Sequence, residues 1–284
     1  MVDDRSKILR RLVDQWVEEA DGWFRTEDIW RQYNVQTEAG KDTVWQRLKE
    51  LVKTGVVEKG GLRYRRIEQE AEDIDIFQEA NFVSIKFPFA LEDFVRMSEK
   101  SVMVIAGDVD AGKTALLLNI AIMNMNDWDV WYWNSETGVA LLKERLFAIE
   151  PNLPNPLPFH LKWRMDNFAD VVRPNNPNGL HIIDYLDIDS ELYMVGAEIK
   201  KILKALDKGV AIIGLQKPEG RDLGYGGTFS IKKAEVYISM SKDRLKIVKA
   251  KSRVDPTVNP INKQWSFKID NSGSNFLDIQ EAWY

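Results

Sequence analysis

The apolar run Val102 to Ala106 passes directly into Gly107-Asp108-Val109-Asp110-Ala111-Gly112-Lys113-Thr114, and that into an apolar stretch with helical character, Lys113 to Asn124. Few folds can host such a junction. It fits the pattern G-x-x-x-x-G-K-[ST] in full, with a strand before it and a helix after it. The glycines let backbone N–H groups turn toward a polyphosphate, the helix N-terminus adds its partial positive charge, a lysine reaches the terminal phosphates and a hydroxyl ligates magnesium. Gly107, Asp110, Ala111, Gly112, Lys113, Thr114 and Ala115 are therefore the expected ATP cradle, with Mg2+ on Thr114. Asp108 and Asp110 place carboxylates in a loop built to receive anions; the expected resolution is that both side chains point outward while the backbone makes the contacts.

Downstream, short apolar segments alternate with amphipathic ones: DVWYWN, VALLKERLFAI, LHIID, AEIKKILKAL, VAIIGL. Alternation of strand with helix is the signature of a parallel sheet covered on both faces, because parallel strands need crossover connections. Such sheets carry ligands at the carboxyl ends of their strands. Asp184 ends Leu180-His181-Ile182-Ile183-Asp184 and is the expected second magnesium ligand, with Asp187 the lesser candidate; His181 reads as a buried structural residue. Asp129 to Trp133 runs into Asn134-Ser135-Glu136-Thr137, placing Glu136 where a base could line up water against a terminal phosphate. The alternative for Glu136 is a favourable charge at the start of the next helix.

The first 66 residues read as three helices and a hairpin, followed by an acidic linker at 67–84 and the larger domain at 85–284. Ile8, Leu9, Leu12, Val13 and Trp16 recur at helical spacing, and Gly22 breaks the run. Thr26 offers an N-cap to a helix from Glu27 to Tyr33, and a third helix is expected from Lys41 to Lys53 with Val44, Trp45, Leu48, Leu51 and Val52 inward. Gly60-Gly61 sits between two strand-like segments, Val56 to Lys59 and Leu62 to Tyr64. This order resembles the winged helix-turn-helix family, in which the third helix enters the major groove and the wing touches the backbone. Lys41, Arg47, Lys49, Arg63 and Arg65 would then face DNA; a protein-docking role is the alternative.

Composition narrows the chemistry. With 284 residues, two domains are the prior, and 44% hydrophobic with 29% charged residues is globular composition. No cysteine and two histidines leave oxygen ligands and a hard cation as the metal chemistry. No run approaches the roughly 18 to 20 apolar residues of a membrane span. A cytoplasmic protein without a membrane partner is expected.

The runs VMVIAGDVDAGKTALLLN, VWYWNSETGVALLKERL, LHIIDYLDI, VAIIGLQK and LKIVKAKSR resemble the RecA-fold ATPase core of DnaB-type replicative helicases and their phage and plasmid relatives, over roughly residues 85 to 270. The resemblance implies an α/β, RecA-like P-loop NTPase core with a winged-helix domain before it, and a DNA-dependent ATPase acting in translocation, unwinding or strand handling. It implies that Gln216 senses the terminal phosphate and that Lys251 and Arg253 reach a neighbouring subunit's ATP, so a homo-oligomer, ring or filament, is expected. It also implies DNA contact from the glycine-rich loop at 217–228, through Lys217, Arg221 and Tyr225. For Lys251 and Arg253 the alternative is ordinary solvated charge. A non-motor, ATP-switched DNA-binding regulator is the second reading of the whole chain.

Overall fold

The computed structural model describes residues 2–20, 22–67, 76–77, 81–186 and 194–282. Most of the expected linker, and Asp187, lie outside them. The chain divides into two compact units, Met1–Ile76 and Phe77–Tyr284.

In the smaller unit, α1 (Val2–Glu19), α2 (Thr26–Gln32) and α3 (Glu38–Lys53) precede a hairpin of β1 (Val57–Gly60) and β2 (Arg63–Arg66). Val13 and Val17 of α1, Ile29 of α2, and Val44, Leu48 and Leu51 of α3 are buried together with Phe24, Val57 and Tyr64. Each such side chain contributes roughly 1.5–3 kcal/mol on burial, which is what orients three short helices that would be marginal alone. Phe24 and Tyr64 exchange backbone hydrogen bonds of 2.9 and 2.8 Å, bridging the segment before α2 to β2 of the hairpin.

Several expected details differ. Ile8 and Trp45 are 57% and 46% exposed, because the core stripe is filled by the residues one turn away. Arg25, not Thr26, is the N-cap of α2, and Asp28 accepts its backbone N–H at 2.7 Å. Helix α3 starts three residues before Lys41, since Thr37 accepts the Gly40 N–H and caps it there. Register pairs Gly60 with Arg63, so the turn is Gly61-Leu62 and not Gly60-Gly61. Gly61 takes the left-handed φ of 63° that this turn requires.

The larger unit holds a nine-stranded sheet among the described residues. Its strands are β5 (Ser101–Gly107), β6 (Val130–Asn134), β7 (His160–Trp163), β8 (Leu180–Asp184), β9 (Val210–Gln216), β10 (Val236–Ser241), β11 (Arg244–Ala250), β12 (Gln264–Ile269) and β13 (Phe276–Ala282). The order is β13-β12-β11-β10-β5-β9-β8-β6-β7, parallel from β10 to β7 and antiparallel from β10 to β13. A small pair, β3 (Phe82–Val83) with β4 (Met97–Ser98), lies outside that sheet.

Period-two alternation divides the core. Met103 and Ile105 of β5 face one layer with Leu116, Leu117 and Ile120 of α4 (Lys113–Asn124) and Leu142 and Leu146 of α5 (Val139–Ile149). Val102, Val104 and Ala106 face the other, with Val172 of α6 (Ala169–Asn175) and Val195, Ile199 and Ile202 of α7 (Met194–Ala205). A short α8 (Thr228–Lys232) precedes β10. Because β5 is buried on both faces, its carboxyl end is held rigidly at the edge where the sequence places the glycine-rich junction.

Candidate functional site

Strand β5 delivers Gly107, and the chain turns into α4 through Gly112, whose φ is +85°. A Cβ there would lie 2.3 Å from Ile269 Cδ1, a side-chain tip that would have to move, but it is the left-handed backbone conformation that calls for glycine. The amino end of α4 opens on a cavity of about 310 Å³. Asp110, Ala111, Gly112, Lys113, Thr114 and Ala115 form one wall; Glu136, Thr137, Gly138, Leu141, Arg145 and Gly273 complete it. Sequence reasoning named seven cradle residues, and all but Gly107 line this space.

Lys113 folds back over the loop, its Nζ donating to the carbonyls of Gly107 at 3.1 Å and Asp108 at 2.8 Å. Burial pulls its ammonium below the ordinary lysine value, against the opposing pull of Asp184 and Glu136. Thr114 Oγ1 donates to Asp184 Oδ1 at 3.2 Å, across the intervening strand β9. Tyr132 Oη donates to Asp184 Oδ2 at 2.6 Å. Burial pushes the Asp184 carboxyl above its usual range, while the hydrogen bonds from Tyr132 and Thr114 pull it back. A hydroxyl and a buried carboxylate meeting beside a helix N-terminus are an oxygen donor set suited to a hard divalent cation bridged to phosphate. No cluster of three His, Cys, Asp or Glu occurs among the described residues.

Glu136 stands exposed on the cavity wall, and the turn that carries it is pinned. Asn134 Nδ2 donates to the Thr137 carbonyl at 2.8 Å, and the Thr137 N–H donates to Asn134 Oδ1 at 3.1 Å. Ser135 Oγ donates to the Asp184 carbonyl at 3.0 Å and accepts from the Tyr185 N–H at 2.9 Å. Two neighbouring strand ends are thereby locked, fixing Glu136 relative to Asp184. His181 is buried, accepting from Trp133 Nε1 at Nδ1 (3.1 Å), with Nε2 2.7 Å from the Asn176 carbonyl. Burial lowers its pKa, and the neutral ring satisfies both contacts, as a structural histidine should.

Gln216 ends β9 directly beside Gly107 in register, adjacent to the cradle. Lys217, expected in a DNA-facing loop, is instead buried, with Nζ 2.7 Å from Asp108 Oδ1. Asp108 accordingly does not point outward as expected; a buried cation draws it in. Arg221 and Tyr225 remain exposed. The loop they occupy is tied by a Lys246–Asp222 ion pair of 2.8 Å and by the Gly224 N–H donating to Tyr237 Oη at 2.8 Å.

Lys251 and Arg253 lie at the opposite edge of the sheet. Strand β11 runs antiparallel to β10, so Ser241, near the cradle, pairs with Arg244, while Ala250 pairs with Val236 at the far end. Seven strand residues put about 20 Å between the two edges. Lys251 N–H donates to the Glu235 carbonyl, and Arg253 bridges Val95.

In the smaller unit, Arg47 is not displayed for a ligand. It makes two bonds to Asp14, at 2.7 and 3.0 Å, and one to Glu50 at 2.9 Å, tying α3 to α1. Arg65 pairs with Glu58, and Lys41 with Glu38. Lys49 and Arg63 are exposed, Lys49 with its Nζ 5.0 Å from the Trp45 ring centre.

Five cavity residues escaped the sequence: Thr137, Gly138, Leu141, Arg145 and Gly273. Arg145 shares a helix face with Leu141, four residues earlier, and its buried Nε has no hydrogen-bond partner among the described residues. An arginine interrupting the apolar stripe of VALLKERLFAI was the available signal. Gly273 comes from the β12–β13 turn, which Asn119 Nδ2 fastens to α4 by donating to the Ser274 carbonyl at 2.9 Å, and no local pattern announced it.

No family model matches the chain, and no curated protein matches its sequence. Among solved structures, a KaiC-like protein from the hyperthermophilic archaeon Pyrococcus horikoshii OT3 is similar, with a TM-score of 0.50 and 15% identity over 72% of this chain and 100% of that one. A RadB recombinase aligns with a TM-score of 0.47 and 15% identity, over 66% of this chain and 93% of that one. The larger unit has the mostly parallel α/β fold of RecA-like cores. No helix among the described residues is long and apolar enough to cross a membrane.

Proposed function

We propose that the larger unit binds ATP with magnesium and hydrolyses it, and that this turnover is coupled to DNA. The observation that carries the reading is Thr114 Oγ1 bonded to Asp184 Oδ1 beside the amino end of α4, with Lys113 at its first position. Polyphosphate would lie on the α4 N-terminal amides, with Lys113 exchanging its two carbonyl contacts for phosphate oxygens. Magnesium, held through Thr114 and Asp184, would neutralise charge on the bridging oxygens. Glu136, on a turn pinned to Asp184, orients the attacking water and takes its proton. Arg145, with an unpartnered Nε at the cavity wall, binds the nucleotide from the α5 side. Gln216 registers the state of the cradle from the end of β9.

Lys251 and Arg253 cannot serve this cavity in their own chain, lying a full strand length away. Their assignment as fingers therefore requires a second copy, and ATP would sit between subunits of a ring or filament. DNA would be held by the smaller unit, read as a winged helix, through Lys49 and Arg63, and by Arg221 and Tyr225 of the loop at 217–228. The finer role is DNA translocation, unwinding or strand handling in replication or recombination of a phage or mobile element. The second reading is a non-motor, ATP-switched DNA-binding regulator; the internal pairing of Arg47 and Arg65, which shrinks the basic surface of the smaller unit, weighs against DNA contact through those two residues in either reading.

The test is the ATPase rate without DNA, with single strands and with duplex, beside the mass in solution with and without ATP. Stimulation by DNA with ATP-dependent assembly supports the motor. Slow, DNA-independent turnover by a monomer supports the switch, and no hydrolysis at all sinks both.

A further inference from the structure

Asp108 puts a full negative charge into a loop whose other features attract anions. It is half-buried, at 19% exposure, so solvent does not screen it as it would a surface carboxylate. Its partner is Lys217, whose side chain is 2% exposed and which sits 2.7 Å away, with Nζ also donating to Ser241 Oγ at 3.3 Å. The backbones are tied at the same place: Lys217 N–H donates to the Gly107 carbonyl at 3.0 Å, and Asp108 N–H to the Met240 carbonyl at 3.2 Å. Residues 109 apart in sequence meet because β9 and β10 flank β5. Neither Asp108 nor Lys217 lines the cavity at the amino end of α4. Lys217 reaches Asp108 from the other side, beside a small polar recess with Ser239 and Ser241.

We propose that Lys217 is a fixed counterion of the phosphate cradle, neutralising Asp108 so that the loop can carry an aspartate and still accept a polyphosphate. The inference rests on the reading of that cavity as a nucleotide site. Lys113 also touches Asp108, at its carbonyl, but Lys113 must leave that contact to reach a phosphate. Lys217 lines no part of that cavity, and its 2% exposed side chain is held by Asp108 and Ser241. Asp108 therefore stays compensated when the cradle is filled, and the charge the ligand meets is that of Lys113 and the helix end. Lys217 touches no ligand atom; it is a positioning residue. It also opens the glycine-rich loop at 217–228, so the same ion pair anchors that loop to the cradle.

The experiment compares Lys217→Met, Asp108→Asn and the double variant with the wild-type chain, measuring affinity for ATP and ADP with magnesium and for AMP. An uncompensated carboxylate repels most strongly the phosphates held nearest to it, the terminal ones that ATP has in full, ADP in part and AMP not at all. Lys217→Met is expected to bind ATP about tenfold or more weakly, ADP less affected and AMP least. Asp108→Asn is expected to bind ATP at least as tightly as wild type, and the double variant to return close to wild type. Equal losses for all three nucleotides, a weaker Asp108→Asn, or a double variant as poor as Lys217→Met each overturn the pairing. A wild-type chain that binds none of the three overturns the nucleotide reading, and this inference with it.

Discussion

Lys113 stands at the first turn of α4, where its ammonium has only carbonyl partners and helix amides are unsatisfied. Lys113→Ala should abolish phosphate release and weaken ATP binding together, since it removes a contact made in both ground and transition states. Glu136 acts differently if it orients water: Glu136→Gln should slow turnover by about 10²–10⁴-fold while nucleotide binding, followed by equilibrium dialysis, stays near wild type. Unchanged turnover in Glu136→Gln would return that residue to the role of a helix-start charge. Arg145 belongs at this scale too, because an unpaired buried Nε is costly without a ligand. Its place on the cavity face was written in the helical spacing from Leu141, but only the position of α5 against the cradle turned that spacing into a contact.

Between elements, the clearest case is the strut of α1 and α3. Glu50 accepts from Arg10 and Arg47, and these bonds hold its carboxyl down at about 2 despite a small opposing effect of burial. A depressed carboxylate pKa contributes stability above the usual glutamate range and loses it as pH falls toward the depressed value. Protection factors of α1 and α3 amides in the full chain, which correct for the intrinsic dependence of exchange on pH, should therefore fall as pH drops from about 4.5 to about 2. In Glu50→Gln that pH dependence should flatten. The same geometry separates structure from binding. Arg47→Ala should loosen α1 against α3 by melting, whereas Lys49→Ala and Arg63→Ala should leave melting unchanged, weaken DNA binding and lower its salt slope by about one each. A DNA affinity indifferent to Lys49 and Arg63 would favour protein docking for the smaller unit.

At the scale of the whole molecule, the sheet sets the stoichiometry of the proposed site. Gly107 and Lys251 lie at opposite edges, a strand length apart, so one chain cannot place Arg253 on its own nucleotide. Arg253→Ala should bind ATP normally and turn over poorly. Mixed with Lys113→Ala, it should recover part of the rate, because a mixed interface can combine an intact cradle with an intact finger. No recovery on mixing, in preparations shown to co-assemble, would remove Arg253 from the finger role.

What the sequence determined alone was local or periodic. The strand–loop–helix junction, the carboxylates Asp184 and Glu136 at strand ends, the parallel sheet and the helical core stripe all follow from residue spacing and from backbone conformations that glycine permits. These depend on neighbours a few positions away, so they are legible before folding. The burial of Lys217 against Asp108, the β12–β13 turn at the cavity, the unpartnered Nε of Arg145 and the capture of Arg47 by Asp14 were decided only by tertiary structure. Each depends on segments far apart in the chain that strand order or helix packing brings together. A side chain's charge is fixed by its identity, but whether that charge faces solvent, a ligand or an internal partner is settled by desolvation and the groups the fold places around it.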